Sequence, residues 1–393
     1  MFITRFLSGL FCLLLTNNLL GQDTALMTQL LNRIEQLQVK TDGVFPKGSF
    51  ASYRTYALNQ FREKADMNPF YTALIAMTLK DIRPRLSTPQ QQVADRIVNH
   101  AMPSYHKYEN RKGRGTYNFW PTDTPRIFPN GGWMNLFDKR QALPDDMDDT
   151  VMVLLAMGAP DSTAREIHRI MQTFTNKSGR HVNNNPKKYR NINAYSTWFG
   201  KIMPVEFDIC VLSNILYFTQ RYDLTWTSVD SASLELIEKV LVSKEHVTSP
   251  LYLAPQYGRL PLILYHLARL MSVKKIPSLE VFRSQLIQEA ETELRKADHF
   301  MDAVILSTAL LKWGVTPSFH PVYKAASIED LVEERPYYFF IANMGSMLPE
   351  PYKYLLVQTG IGKFYYDCDA YNNLLLLEYL ALKNTLSDLQ VGE

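Results

Sequence analysis

Cysteine, net charge and long apolar runs are all scarce in this chain of 393 residues, and each scarcity excludes a class of protein. Three cysteines cannot form the disulfide framework of a small secreted scaffold. A net charge of +3, without long runs of Lys or Arg, predicts no nucleic-acid partner. Because 46% of the residues are apolar and 12% are aromatic, we expect a folded protein with a large core.

The N-terminus has the three parts of a secretory signal. Arg5 precedes an apolar stretch, residues 6–20, which is followed by the small residue Gly21. The stretch is shorter than the ~20 residues of a membrane-spanning helix. We predict that residues 1–21 are a signal peptide, that residues 22–393 are a single domain, and that the mature protein is exported, as to a bacterial periplasm. The alternative is a buried N-terminal helix.

Helical periodicity dominates the mature chain, whereas convincing alternating strands are scarce. Helices are predicted near residues 24–38, 51–64, 70–82, 88–102, 145–158, 161–174, 205–221, 231–243, 257–271, 278–296, 299–313 and 370–386. At two residues of boundary error on each side, these segments are compatible with six helical pairs.

The predicted helices are of two kinds. Some are amphipathic, such as "SASLELIEKVLVSK", whereas six are apolar nearly all round: "NPFYTALIAMTL", "DDTVMVLLAM", "FDICVLSNILYF", "RLPLILYHLA", "FMDAVILSTALL" and "YNNLLLLEYLAL". A helix that is apolar on every side is buried, and an amphipathic one has a solvent face. We therefore predict an all-α fold, an (α/α)6 toroid of inner and outer helices with long aromatic-rich loops at one end. An unclosed solenoid or an irregular bundle is the alternative.

The stretch "LPDDMDDT" (Leu143 to Thr150) places four aspartates at the start of one of these apolar helices. One or two carboxylates would complement the positive end of the helix dipole. With four carboxyl groups so close together, each negative charge raises the free-energy cost of ionising its neighbours. Carboxyl groups that share a site keep one acid protonated, and such an acid can donate a proton.

Two motifs fit the cluster. Asp145, Asp146 and Asp149 have the spacing of the DDxxD motif of class I terpene synthases, whose carboxylates hold Mg²⁺. Asp146, Asp148 and Asp149, followed by Thr150, have the spacing of the DxDD(T) motif of class II terpene cyclases and squalene–hopene cyclases. We favour the second motif because no second acidic metal motif follows downstream. The chain thus resembles the α/α-toroid superfamily of terpenoid cyclases and protein prenyltransferases.

This resemblance implies that Asp148 protonates an alkene, while Asp146 and Asp149 keep it protonated and oriented. It implies no cofactor, a hydrophobic small molecule or isoprenoid lipid as substrate, and peripheral contact with a membrane; the oligomeric state stays open. A carbocation would need aromatic faces around it. The candidates for the substrate pocket are Asp145, Tyr117, Phe119, Trp120, Trp133, Tyr195, Trp198, Phe199, Tyr257, Tyr337, Tyr338, Tyr365 and Tyr366.

Three alternatives stay open. Protein prenyltransferases bind zinc through an Asp-x-Cys pair and a distant His, and Asp208, Cys210 and His266 follow that order. Zn would then be the cofactor, as Mg would be under the DDxxD motif. The chain could instead be a periplasmic carbohydrate-active (α/α)6 enzyme, in which Asp or Glu pairs do acid–base work. The last alternative is a non-catalytic toroid that binds a lipid or a peptide.

Overall fold

The computed structural model describes residues 23–123, 143–179, 181–200, 203–321 and 327–391. Helix makes up 56% of the structure, so the fold is mostly helical as expected. The predicted signal peptide and Trp133 lie outside the described residues. None of the described helices is both long enough and apolar enough to cross a membrane.

Each predicted helix except the one at 51–64 coincides with one or two observed helices. In the first part of the chain these are α1 (residues 23–37), α2 (Phe70–Ile82), α3 (Thr88–Ala101), α4 (Met147–Met157), α5 (Asp161–Met171), α6 (Ile209–Arg221) and α7 (Ser228–Val242). The later helices are α8 (Glu245–Thr248), α9 (Pro250–Leu253), α10 (Leu260–Met271), α11 (Pro277–Glu280), α12 (Arg283–Lys296), α13 (Phe300–Lys312), α14 (Ile328–Val332), α15 (Tyr352–Leu356) and α16 (Asp369–Val391). Of these, the short helices α8, α9, α14 and α15 lie outside the predicted segments.

Six of these helices form a closed cycle of contacts. α2 packs on α4, α4 on α6, α6 on α10, α10 on α13, α13 on α16, and α16 packs back on α2. These are the six segments that the sequence marks as apolar on every side, and in α2 every residue except Lys80 and Asp81 is buried. The amphipathic helices lie outside this ring, with α3 against α2, α7 against α6 and α12 against α13.

The prediction of an all-α fold is incomplete because the described residues also contain six strands. They are β1 (Tyr53–Tyr56), β2 (Asn59–Ala65), β3 (Asp145–Asp146), β4 (Trp198–Phe199), β5 (Phe340–Asn343) and β6 (Lys363–Asp367). Four of them form an antiparallel sheet in the order β2–β1–β6–β5, and β3 pairs with β4.

The helix predicted at 51–64 is wrong, since β1 and β2 form a hairpin there. β2 is exposed along nearly its whole length, so its sequence lacks the alternation of apolar and polar residues that marks a half-buried strand. β1 in turn pairs with β6, about 310 positions further along the chain, and such a partner leaves no local signal.

Gly48 shows how closely the chain between α1 and β1 packs on the end of α3. Its φ is +86°, and a β-carbon there would lie 1.9 Å from the backbone oxygen of His100. At Gly43, by contrast, a β-carbon would have no described atom within 4 Å. Only glycine fits the first position, whereas the second tolerates a side chain.

We predict that Gly48→Ala lowers the free energy of unfolding by about 3 kcal/mol, because backbone strain and an overlap with a main-chain oxygen must both be relieved. Gly43→Ala is the matched control and should change the free energy of unfolding little. Urea unfolding of both variants measures the difference. Equal stabilities would contradict the packing described for Gly48.

Candidate functional site

Residues at or near the N-terminal ends of α2, α4, α6 and α16 line a cavity of about 190 Å³. Phe70 at the start of α2, Asp148 in the first turn of α4, and Val211 in the first turn of α6 all line it, as does Tyr366 shortly before α16. These helix ends therefore lie on the same side of the ring. The chain segments before α4 and α16, which the sequence predicts to be long loops, supply further walls.

Aromatic rings form much of the cavity wall, and Phe340 of β5 stands at their centre. Its ring centroid lies 5.3 Å from that of Phe70, 5.4 Å from that of Phe119 and 5.2 Å from that of Tyr366. Phe340 and Tyr366 are register partners in the β5–β6 ladder, which fixes their spacing. The small sheet thus contributes directly to the cavity. The described residues that line the cavity include no Lys or Arg.

Asp146 caps the N-terminus of α4. Its Oδ1 accepts hydrogen bonds from the backbone amides of Asp148, at 2.6 Å, and Asp149, at 3.2 Å. Burial and the nearby charge of Asp148 raise the pKa of the Asp146 carboxyl well above its usual value, while the two amides oppose that rise. Asp146 therefore caps α4 and also lines the cavity.

Asp148 accepts hydrogen bonds from two side chains of other elements. Asn214 of α6 donates from Nδ2 to Oδ1 at 2.6 Å, and the Tyr257 hydroxyl donates to Oδ2. Arg269 of α10 donates in turn to Oδ1 of Asn214. Burial raises the pKa of Asp148 to about 6, and these donors and the arginine charge keep it from rising further. Asp148 is thus mainly ionised at neutral pH.

Asp149 has the opposite environment. It lines the cavity, and among the described residues no donor lies within hydrogen-bonding distance of its buried Oδ1. Burial, and then the charges of Asp146 and Asp148, raise the pKa of Asp149 well above its usual value. The arrangement therefore favours the protonated form of a carboxyl group that lines an apolar cavity.

Asp145, which the sequence analysis assigns to the pocket, is not among the described residues that line it. Its Oδ2 accepts hydrogen bonds from Asn110 Nδ2, at 2.6 Å, and from the side chains of Arg114 and Thr116. The ion pair with Arg114 ties the start of α4 to the preceding loop. Three of the four aspartates therefore meet at the cavity, and the fourth stabilises the structure beside it.

The aromatic candidates divide in the same way. Phe119, Trp120, Trp198 and Tyr366 line the cavity, and the Tyr257 hydroxyl contacts Asp148 behind the wall. Three others have hydroxyl groups that donate elsewhere: Tyr117 to Met157, Tyr195 to Asp230, and Tyr337 to Asp302. Phe199, Tyr338 and Tyr365 are also not among the described wall residues: Phe199 packs on Phe174, and Tyr338 stacks on Tyr365.

Sequence analysis missed Phe70, Phe340 and Asn214. Phe70 and Asn214 occur in the apolar segments quoted above, where they are typical of ordinary core positions. The run of aromatic and β-branched residues in "YYFFIAN" is a strand signal that could have identified the strand that carries Phe340.

A further buried carboxyl group, Glu206, was also missed. Its Oε2 accepts hydrogen bonds from Trp198 Nε1 at 3.1 Å and from Gln256 Nε2 at 3.2 Å, while Ser346 Oγ donates to Oε1. Trp198 and Gln256 both line the cavity. Glu206 therefore orients two wall residues from behind.

The residues proposed as zinc ligands have other partners. Asp208 caps α6, because its Oδ1 accepts hydrogen bonds from the backbone amides of Cys210 and Val211. Its Oδ2 accepts a hydrogen bond from the backbone amide of Gln256 at 2.9 Å. His266 Nδ1 lies 2.7 Å from the carbonyl oxygen of Leu262. Within the described ranges no three His, Cys, Asp or Glu side chains are grouped closely enough to hold a metal ion. Neither the zinc nor the magnesium alternative receives geometric support.

Fold and site together define a mostly helical protein in which a ring of six helices holds buried carboxyl groups against an apolar cavity. Comparisons of the chain with models of known protein families, with curated proteins and with solved structures find no match. Its function must therefore be argued from the chemistry of the site.

We predict that Asp149→Asn is as stable as the wild type near pH 4 and more stable at pH 8. The folded protein retains the Asp149 proton, whereas the unfolded chain releases it above ~3.9, so the stability of the wild type falls as the pH rises. The difference should widen by about 1.4 kcal/mol per pH unit, up to the folded-state pKa of Asp149.

Urea unfolding across that pH range measures this difference. Asp223→Asn is the control, because Asp223 is an exposed aspartate that pairs with Lys274. It should show no such widening. If the stability of Asp149→Asn relative to the wild type did not vary with pH, Asp149 would be ionised in the folded protein.

Proposed function

We propose that the ring is an (α/α)6 toroid, and that the protein catalyses the acid-initiated cyclisation or isomerisation of an uncharged isoprenoid. The observation that carries this proposal is the buried Asp149 carboxyl group, which lines an apolar cavity with aromatic walls and has no described donor at Oδ1. Burial raises its pKa well above the usual value, which favours the protonated form. An acid that is to protonate an alkene must keep its proton at neutral pH and must be shielded from water. The resemblance of the Asp146–Asp149 segment to the DxDD motif supports the same chemistry.

The assignment of the proton among the aspartates follows from their contacts. The motif predicts Asp148 as the acid, and that prediction stays untested. The donors around Asp148 favour its charged form, whereas no donor among the described residues reaches Asp149 Oδ1. We therefore assign the proton to Asp149, coupled to Asp146, and assign to Asp148 the fixed negative charge that stabilises a cation beside it.

In the proposed reaction the Asp149 proton adds to one carbon of a carbon–carbon double bond, and the other carbon becomes a cation. A second double bond of the same chain attacks the cation, which forms a carbon–carbon bond and moves the charge. A carboxylate of the cluster then takes a proton from the neighbouring carbon, which restores the acid. The product is an isomer of the substrate, so no oxidant or cofactor is consumed.

The aromatic walls suit such an intermediate. A cation over the face of an aromatic ring is stabilised by about 0.5–2 kcal/mol, and more when water is excluded. Phe119, Trp120 and Phe340 are placed to supply such faces. The described wall residues are mainly apolar and aromatic, which favours an isoprenoid over a sugar, although Thr197, Gln256 and Asn343 also line the cavity.

Size and charge narrow the substrate class. The cavity volume of about 190 Å³ lies below the ~300–1,000 Å³ of sites for drug-sized ligands. A short isoprenoid, or the end of a longer chain, suits this volume better than squalene. A diphosphate would face three carboxyl groups without a compensating Lys or Arg among the described wall residues.

We predict that the protein from Gln22 onward converts an uncharged linear isoprenoid to an isomer, and that Asp149→Asn and Asp148→Asn each lower kcat by about 10²- to 10⁴-fold. Short terpene alcohols, squalene and oxidosqualene would be offered with and without chelator, and products identified by mass spectrometry. Asp161→Asn, an exposed substitution at the start of α5, is the control. Conversion that disappears with chelator would indicate a metal mechanism, and binding without conversion would indicate a non-catalytic toroid.

The dependence of kcat on pH should be bell-shaped. The rate rises as Asp148 ionises near its pKa of about 6, and it falls at higher pH when the Asp146–Asp149 pair loses its proton. We predict that Tyr257→Phe shifts the rising limb to higher pH, because the ionised form of Asp148 loses a donor.

Tyr189→Phe is the matched control, since the Tyr189 hydroxyl group donates to Glu245 instead. Stopped assays from pH 4 to 10 measure both limbs. A rising limb that stays in place in Tyr257→Phe would remove Asp148 from the catalytic titration.

A further inference from the structure

A second cavity, of about 520 Å³, lies outside the ring, between the chain that follows α1 and the C-terminal end of α3. It shares no described wall residue with the cavity at the start of α4. Its volume is in the ~300–1,000 Å³ range of sites for small organic ligands. We call it the lysine pocket, because its charged wall residues are Lys40, Lys47, Lys107 and a single acid, Asp42.

Hydrogen bonds fix the two sides of the lysine pocket to each other. The chain after α1 closes on itself, since the backbone amide of Val39 donates to Ser49 at 3.0 Å and that of Gly48 donates to Val39 at 2.8 Å. Gln38 Nε2 donates to the carbonyl oxygen of Gly48 at 2.8 Å and to that of Ile97, on α3, at 2.9 Å. The pocket is therefore formed by the fold itself and needs no ligand to shape it.

One of the three lysines has an ordinary structural role. Lys40 Nζ donates to the carbonyl oxygen of Glu35 at 2.5 Å, near the C-terminal end of α1, where a cation complements the helix dipole. Lys107 Nζ lies 3.9 Å from Asp42 Oδ1, which is a long separation for an ion pair. Among the described residues the Lys47 ammonium group has neither a hydrogen bond nor an ion pair. Two of the lysines are thus available to a ligand.

The charges of the lysine pocket do not balance. Three ammonium groups face one carboxylate, which leaves a net charge of +2, and His100 adds an imidazole to the same wall. Asp42 is partly engaged by the backbone, because its Oδ1 accepts a hydrogen bond from the Lys47 amide at 2.9 Å. Like charges around one cavity repel each other, and a bound dianion would remove that repulsion.

This excess charge discriminates between anions. A phosphate monoester carries close to two negative charges at neutral pH, which matches the excess of the pocket. A carboxylate, a sulfate ester or a phosphodiester carries one negative charge and would leave the pocket positive. Val39, Pro46 and Pro103 also line the pocket and offer apolar surface to the organic part of such a ligand.

We propose that the lysine pocket binds an organic phosphate monoester, with Lys47 and Lys107 on the phosphate oxygens and the apolar part of the ligand against Pro46 and Pro103. An ammonium group binds phosphate as a point charge with three donors, so two lysines on different segments suit a tetrahedral dianion. The site lies apart from the aspartate cluster, and the proposal is independent of the proposed reaction.

The test is isothermal titration of the chain from Gln22 onward with phenyl phosphate, phenyl sulfate and inorganic phosphate at pH 7.5. Phenyl phosphate should bind saturably, with a dissociation constant of about 1 mM or below, and more weakly as salt is added. Phenyl sulfate has nearly the same shape and one charge fewer, so it should bind about tenfold more weakly. Inorganic phosphate should also bind more weakly, because it lacks the apolar part.

Substitutions in the pocket should act in opposite directions. Lys47→Gln and Lys107→Gln should each raise the dissociation constant of phenyl phosphate about tenfold, because each removes a charged donor. Asp42→Asn should lower it about threefold or more, because it removes the negative charge and retains an oxygen for the Lys47 amide.

Lys239→Gln and Glu235→Gln are the matched controls, since these residues form an exposed ion pair on α7. Both should bind phenyl phosphate like the wild type, and thermal melts should show that all five variants fold. A wild type that gives no saturable binding overturns the proposal. Binding that survives in both pocket lysine variants, or that Asp42→Asn weakens, overturns it as well.

Discussion

Three carboxyl groups are buried at the start of α4 with no ion pair to any of them among the described residues, and the rest of the site follows from that constraint. Removing a carboxylate from water is costly, so each group must gain hydrogen-bond donors or keep its proton. Asp146 accepts hydrogen bonds from two backbone amides, and Asp148 accepts them from Tyr257 and Asn214. Among the described residues, no donor reaches Asp149 Oδ1. The three carboxyl groups of one sequence motif therefore differ in their hydrogen-bond environments.

The donors that create this difference come from other helices of the ring. Asn214 lies on α6, Tyr257 lies just before α10, and Arg269 on α10 orients Asn214. The site therefore exists only when the ring is assembled, and its unpaired acid destabilises the fold that carries it. Such a cost is expected where a residue is retained for its chemistry and not for stability.

The segment between α14 and α16 links the cavity to the outside of the molecule. Phe340 and Met347 form part of the cavity wall, whereas Leu355 and Ile361 face solvent, and Ser346 and Lys353 fix the segment between these two surfaces. The cavity wall and the solvent-exposed surface of this segment are therefore both apolar.

The sequence by itself determined the six buried helices, because an apolar residue at every position is a local pattern, and it determined the aspartate cluster for the same reason. The sequence also predicted four of the aromatic residues that line the cavity, among them Trp120 and Trp198. Only the tertiary structure decided that β1 pairs with the distant β6, that Phe340 stands at the centre of the wall, and that Asp149 lacks donors. These features depend on contacts between residues far apart in the chain, and the proton affinity of a buried acid is set by such neighbours and not by its place in a motif.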